Sequence, residues 1–292
     1  MVKARTMILA AVVLIAVMVP SGGPGYGSSR AEAVNGVRAM ALGDLRIALS
    51  SGGVVPRRNS SIKDTPAKPK INSLYGRSFK KYSRYSFSYS GDNFRVGYYG
   101  LGASNLLKRD LQGEPTGETF NYRNHGLSGS VGGEIGDFGV GLQANGFYKG
   151  AEANSYGLSL TPALDYRIKY FRAGVILPTW EKRGLMGGNN AGGSWKEEIT
   201  LGFGILRGRL NLGLDFTLGL AGDVLSETNY RAGVEWWIMD YFALRGGLNG
   251  RSEKSFGFGI KGGKVRINYA YTFHSELPAS SVVSFGWVFG DK

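Results

Sequence analysis

Between Gly208 and Ala221 every second residue is large and apolar. Leu210, Leu212, Leu214, Phe216, Leu218 and Leu220 alternate with Asn211, Gly213, Asp215, Thr217, Gly219 and Ala221. A period of two puts the six apolar side chains on one face of a strand, whereas a helix would scatter them around its circumference beside Asp215 and Asn211. The same alternation returns at Tyr230, Ala232, Val234, Trp236 and Ile238, at Val265, Ile267, Tyr269, Tyr271 and Phe273, and at Val283, Phe285, Trp287 and Phe289. It predicts strands near 80–90, 93–101, 117–135, 138–149, 154–167, 169–180, 195–206, 208–221, 226–238, 241–250, 254–261, 264–273 and 281–289. Tight turns at Gly91-Asp92, Gly136-Asp137, Ile168-Lys169, Arg207-Gly208, Met239-Asp240 and Gly262-Gly263 alternate with wider connections, as in outer-membrane barrels with short periplasmic turns and longer outer loops.

Alternation alone fits two architectures. In a soluble sandwich the apolar rows meet in a core; in a membrane barrel they face lipid. Strand length favours the barrel, because about 9 to 11 tilted residues cross a bilayer. So do aromatic residues near strand ends, where interfacial girdles belong: Tyr98, Tyr99, Tyr148, Tyr156, Tyr166, Tyr170, Trp180, Trp195, Tyr230, Trp236, Trp237, Tyr241 and Phe289. The expected fold is all-β, a transmembrane antiparallel up-and-down β-barrel of about 14 strands, with 12 as the alternative. With the last strand ending in the periplasm, parity requires part of 34–78 to cross. Either 37–50 is the fourteenth strand, or it threads the lumen as a plug and one of the predicted strands is wrong.

Composition agrees: 47 glycines, 16 tyrosines and 15 phenylalanines accompany a hydrophobic content of only 42%. There is no cysteine, so disulfides, thiol chemistry and Cys-ligated metals are excluded. Lys3 and Arg5 before the apolar run Met7 to Val19, with cleavage expected after Ala33, read as a signal peptide over 1–33. The expected organisation continues with an N-terminal segment at 34–78, a first strand or plug followed by a basic proline-broken loop, and a barrel at 79–292. The net charge of +13 is largely local. Arg57, Arg58, Lys63, Lys68, Lys70, Arg77, Lys80, Lys81 and Arg84 face one acid, Asp64, among Pro56, Pro66 and Pro69. No nucleic-acid-binding pattern accompanies this run, so outer-membrane lipid, and anionic headgroups in particular, are the expected counter-charge, against the alternative of a solvated loop.

Chemistry-bearing motifs are few. Gly257-Phe-Gly-Ile-Lys-Gly262 fits a dinucleotide fingerprint, but a tight turn and a strand follow where a helix is required. His125 and His274 are far apart, expected in loops or at the rim, and give no metal cluster or triad. Glu197 and Glu198 point to opposite faces of a strand. No cofactor, metal or enzymatic activity is expected. Charged residues on the polar face, Asp165, Arg167, Arg172, Asp215, Arg231, Glu235, Arg245 and Arg266, would project into a barrel interior, with Arg231 and Glu235 on one face and Arg245 across the hairpin. They read either as a network rigidifying the lumen or as a cationic constriction.

Residues Tyr230 to Leu248, Phe256-Gly-Phe-Gly-Ile260 and Asn268-Tyr-Ala-Tyr-Thr-Phe-His-Ser-Glu-Leu277 resemble the closing repeats of PorV-type outer-membrane proteins, which group with the FadL-like barrels. Gly36-Val-Arg-Ala-Met-Ala-Leu-Gly43 is similar to that family's opening motif, although the Asn-Pro-Ala that follows there is replaced by the basic segment. The resemblance implies a fourteen-strand barrel in the outer membrane of a diderm bacterium. Transport of small or hydrophobic compounds is the expected role. The alternatives are a secretion or envelope-assembly partner, docking through the basic segment and 181–194, and a secreted soluble β-protein.

Overall fold

The computed structural model describes residues 36–48, 68–78, 81–109, 114–150, 154–183, 193–196, 198–219, 226–250, 253–274 and 278–290. The predicted signal peptide, Arg57, Arg58, Lys63 and Lys80, and most of the 181–194 loop lie outside them. A short helix, α1 (Val37–Ala41), precedes the strands β1 (Lys70–Ser78), β2 (Tyr82–Ser90), β3 (Phe94–Arg109), β4 (Pro115–Ile135) and β5 (Phe138–Gly150). Next come β6 (Asn154–Ile168), β7 (Phe171–Ile176), β8 (Thr179–Arg183), β9 (Gly193–Lys196), β10 (Glu198–Arg207) and β11 (Leu210–Gly219). The chain closes with β12 (Ser226–Met239), β13 (Phe242–Asn249), β14 (Lys254–Gly262), β15 (Val265–Phe273) and β16 (Ser280–Val288).

Every pairing is antiparallel, and the ring is shut where β1 runs along β16 from Lys70↔Val288 to Arg77↔Ser281. The sixteen segments make fourteen barrel strands. β7 and β8 are two pieces of one strand, since both pair with β6, at Ala163–Ile168 and at Gly157–Leu160. The break falls at Leu177-Pro178, where proline has no N–H to give the ladder. β9 and β10 likewise continue one another, along β8 and β7.

The apolar rows face outward. Leu210, Leu212, Leu214, Tyr230, Val234, Trp236, Leu244, Phe256, Ile267, Val283 and Phe285 are all exposed, while Asn211, Asp215, Thr217, Arg231, Glu235 and Arg245 are buried on the other face. A single sheet bent into a ring has no second sheet to cover such a wall, so the sandwich alternative does not describe it. An apolar surface of this extent requires hydrocarbon rather than water around it. No helix of the described residues is long and apolar enough to cross a membrane. β1, β2, β14, β15 and β16 have nine residues each, the least that spans a bilayer core.

One end carries tight turns. Gly136, Gly208 and Gly263 have φ of 65°, 59° and 54° at the first of two turn residues, and Lys169 takes the same region at 45°, the backbone that II′ hairpins need. At the other end β3 and β4, of 16 and 21 residues, run well past the length a bilayer requires.

Several expectations are corrected. The missing strand is β1, inside the stretch read as a basic loop, so the barrel starts at Lys70 and none of the predicted strands is lost. Its outward face is Ile71, Ser73, Tyr75 and Arg77, alternately apolar and polar, which hides the period-two signal behind Pro66 and Pro69. Twelve strands is excluded. Residues 36–48 add no strand and lie in the lumen. Tyr99 faces inward at 7% exposure, and the Trp237 indole turns inward to Glu235, so neither belongs to the outer girdle. His125 sits within β4, stacked against Tyr98 and Tyr148 on the outer wall, rather than in a loop.

An arginine in the middle of the outward row should be costly only if that row meets lipid. Leu214→Arg is expected to lower the stability of the barrel folded into lipid vesicles by about 2–4 kcal/mol, read from urea titration with heat-modifiable gel migration. An unchanged midpoint would place the row elsewhere.

Candidate functional site

The lumen is the site, and a piece of the chain's own N-terminal segment occupies it. Helix α1 has five residues and no side-chain cap at Gly36, too short to persist alone, so its shape comes from burial. Val37 and Ala41 pack with Leu74, Ala270 and Val282 of β1, β15 and β16. Gly43, at φ 72°, ends the helix in the left-handed region that glycine tolerates. Its N–H donates to Ser255 Oγ at 2.9 Å, and the chain continues through buried Leu42, Leu45, Ile47 and Ala48 to the inner face of β10.

Wall glycines make room. A Cβ on Gly247 of β13 would collide with the backbone of Leu42 and Gly43, and one on Gly233 of β12 with the Leu42 carbonyl. Backbone against backbone leaves nothing flexible to yield, so only glycine admits the plug here.

Two carboxylates hold it. Asp215, fully buried on β11, accepts the backbone N–H groups of Arg46, of Ile47 at 3.0 Å and of Ala48 at 3.0 Å, so three amides that have left regular structure share one anion. Arg231 stands opposite Asp215 across the β11–β12 ladder and donates to Thr217 Oγ1 at 2.8 Å.

Glu235 is the second anchor. Arg38 of the plug grips it with Nε to Oε2 at 2.7 Å and Nη2 to Oε1 at 2.6 Å. Arg245 Nε reaches Oε2 at 2.8 Å, while Asn211 Nδ2 and Trp237 Nε1 each reach Oε1 at 3.1 Å. Five donors saturate a carboxylate that is fully buried, which is what a buried charge requires.

Several of the eight charged residues read from sequence meet one another. Glu235 joins Arg245, Asp215 neighbours Arg231, and Asp165 pairs with Arg172 at 3.2 Å on β6 and β7. Arg167 stands opposite Arg172 in the same hairpin. Arg266 lies apart on β15, across from Gly286. Of the basic residues assigned to a loop, Lys70 starts β1 on the same face as inward Leu74 and so points into the lumen, and Arg77 is on the outward face. Lys68 and Lys81 flank β1 outside any strand. Arg38, the plug's own anchor, escapes sequence reasoning, although a lone arginine within Val-Arg-Ala-Met-Ala is a signal that an acid waits for it. Among the described residues no group of histidines and acids could hold a metal ion.

Glu235→Gln keeps the hydrogen-bonding shape and removes the charge. Because the chain has no cysteine, a Leu42→Cys reporter can be labelled cleanly with a maleimide. Losing charge-assisted bonds to Arg38 should raise its labelling rate about tenfold or more, with heat-modifiable migration retained. Equal rates would show that the plug is held by something else.

No family model matches the sequence, and no curated protein matches it. Solved structures do. The toluene transporter TodX of P. putida superposes with a TM-score of 0.55 at 12% identity, over 88% of this chain and 99% of that one. The monoaromatic hydrocarbon channel CymD gives 0.58 at 10% identity, over 87% and 97%. The likeness is one of architecture: this chain has the fold of these two channels, a closed antiparallel β-barrel.

Proposed function

We propose that the protein is an outer-membrane barrel that admits small, hydrophobic compounds, with residues 36–48 as the stopper of its passage. The observation that carries this reading is the manner of attachment. The stopper is no part of the sheet; it is fastened to the wall by two carboxylates and seated against glycines, so it can leave without breaking the ring. A barrel built only for rigidity could fill its interior with wall side chains. The hydrophobic cargo class is supported by the likeness to TodX, a toluene transporter, and CymD, a monoaromatic hydrocarbon channel. Location in the outer membrane of a diderm bacterium, after removal of residues 1–33, belongs to the same proposal.

Cells carrying the protein in their outer membrane should take up a labelled monoaromatic hydrocarbon faster than cells without it. A disulfide between Val37→Cys and Val282→Cys, partners in one packed cluster, should abolish the gain, and a reductant should restore it. Uptake indifferent to both the protein and the lock would end the transport reading.

The PorV-type alternative, a secretion or assembly partner, is supported by the β3–β4 hairpin, whose strands of 16 and 21 residues run on past the membrane at the loop end. Shortening that hairpin by removing residues 104–120 should then release a co-purifying envelope protein while leaving hydrocarbon uptake intact. Uptake and co-purification both unaffected would count against docking there.

A further inference from the structure

A second group of charges in the lumen plays no part in holding the plug. Lys70 opens β1, Arg95 lies near the start of β3, and Arg266 is the second residue of β15. Register brings them together: Lys70 and Arg95 both stand opposite Ser90 of β2. Arg266 stands opposite Gly286 of β16, which faces Asn72, two residues from Lys70. All three share the inward parity of their strands, with Leu74, Tyr99 and Ala270, which are buried.

The positive charges of Arg266, Arg95 and Arg38 all bear on the Lys70 ammonium. Arg38 is already committed to Glu235, and Arg95 donates to Ser88 Oγ at 3.3 Å. Lys70 and Arg266 make no hydrogen bond or ion pair among the described residues. The group lies at the tight-turn end, since β2 ends at Ser90 and β14 turns into β15 at Gly263 and Lys264.

Like charges gathered inside a wall of low dielectric repel more strongly than on an open surface. A fold that sets three cations on the inward face of adjoining strands, two of them without a counter-ion among the described residues, is arranged for an anion that comes from outside. Neighbouring strands are about 4.8 Å apart, so Lys70 and Arg95 stem from backbones about 10 Å apart and extend inward, a span that closes on a compact tetrahedral oxyanion. A charge of two on the ligand answers three cations better than a charge of one. We infer that Lys70, Arg95 and Arg266 form a binding site for a phosphate group at the tight-turn mouth of the lumen. Arginine contributes planar paired donors and lysine a point charge, the usual division of labour on phosphate. The site does not depend on hydrocarbon passage, and its test reads binding alone.

The phosphate could belong to a soluble compound or to a lipid headgroup, and two arms separate them. The full-length protein, refolded in zwitterionic detergent, is titrated with inorganic phosphate by calorimetry. In parallel, its binding to phosphatidic acid is measured in phosphatidylcholine vesicles. Saturable binding of inorganic phosphate marks a soluble ligand; saturable binding of the lipid alone marks a headgroup. In whichever arm responds, Arg266→Gln and Lys70→Gln should each weaken binding at least tenfold, while Lys169→Gln, at a turn on the same end, should leave it unchanged. Arg266→Gln alone suffices should Lys70→Gln fail to fold, because Arg266 is the more exposed of the two. Silence in both arms, equal competition by chloride, or undiminished binding by the folded variants would overturn the site.

Discussion

A chain that crosses hydrocarbon with strands must leave no strand edge unpaired, because a bare N–H or C=O in lipid costs several kcal/mol. Nearly everything else in this molecule follows from that closure. Once the sheet is bent into a ring its outer face meets lipid and its inner face meets whatever the chain encloses. The period of two visible from Gly208 to Ala221 therefore becomes a division between environments: leucines, valines and aromatics outside, asparagines, threonines and charged groups inside. The interior then needs its own solution, since fourteen strands enclose more space than wall side chains need fill.

That solution is electrostatic and steric at once. Glycines at 233 and 247 bring the plug backbone to the wall, and Asp215 and Glu235 satisfy the donors it brings with it. The plug brings Asp215 its three amide donors and adds Arg38 to the donors that the wall already gives Glu235, so both buried carboxylates are better satisfied with the plug seated. The attachment is strong in place and separable as a unit, which is the property a stopper requires.

Sequence disclosed the wall far better than its contents. Leu210 to Leu220 and Val265 to Phe273 are unambiguous because one face is wholly apolar, whereas β1 carries Ser73 and Arg77 among its outward residues and loses the alternation. The inward orientation of Asp215 and Glu235 follows from parity within a strand. What holds them does not: Arg38 and Glu235 are 197 positions apart, and no local pattern reports a contact of that range. The same limit hides the meeting of Lys70 with Arg266, since it depends on which strands close the ring. Arg231 donates to Thr217, while Glu235, four residues on along the same face, takes Arg245 from the neighbouring strand and Arg38 from the plug. Lateral neighbours on adjacent strands are closer than residues four apart along one strand.

The seam between β1 and β16 ties the beginning of the barrel to its end, and this sets an order of assembly. The last strand to leave the ribosome completes the cylinder, so the ladder that shuts it has the largest sequence separation of any in the sheet and the slowest search. The N-terminal segment is made first, yet its anchoring acids lie on β11 and β12. Its seat therefore exists only once those strands have paired, and the segment settles among them as the cylinder closes.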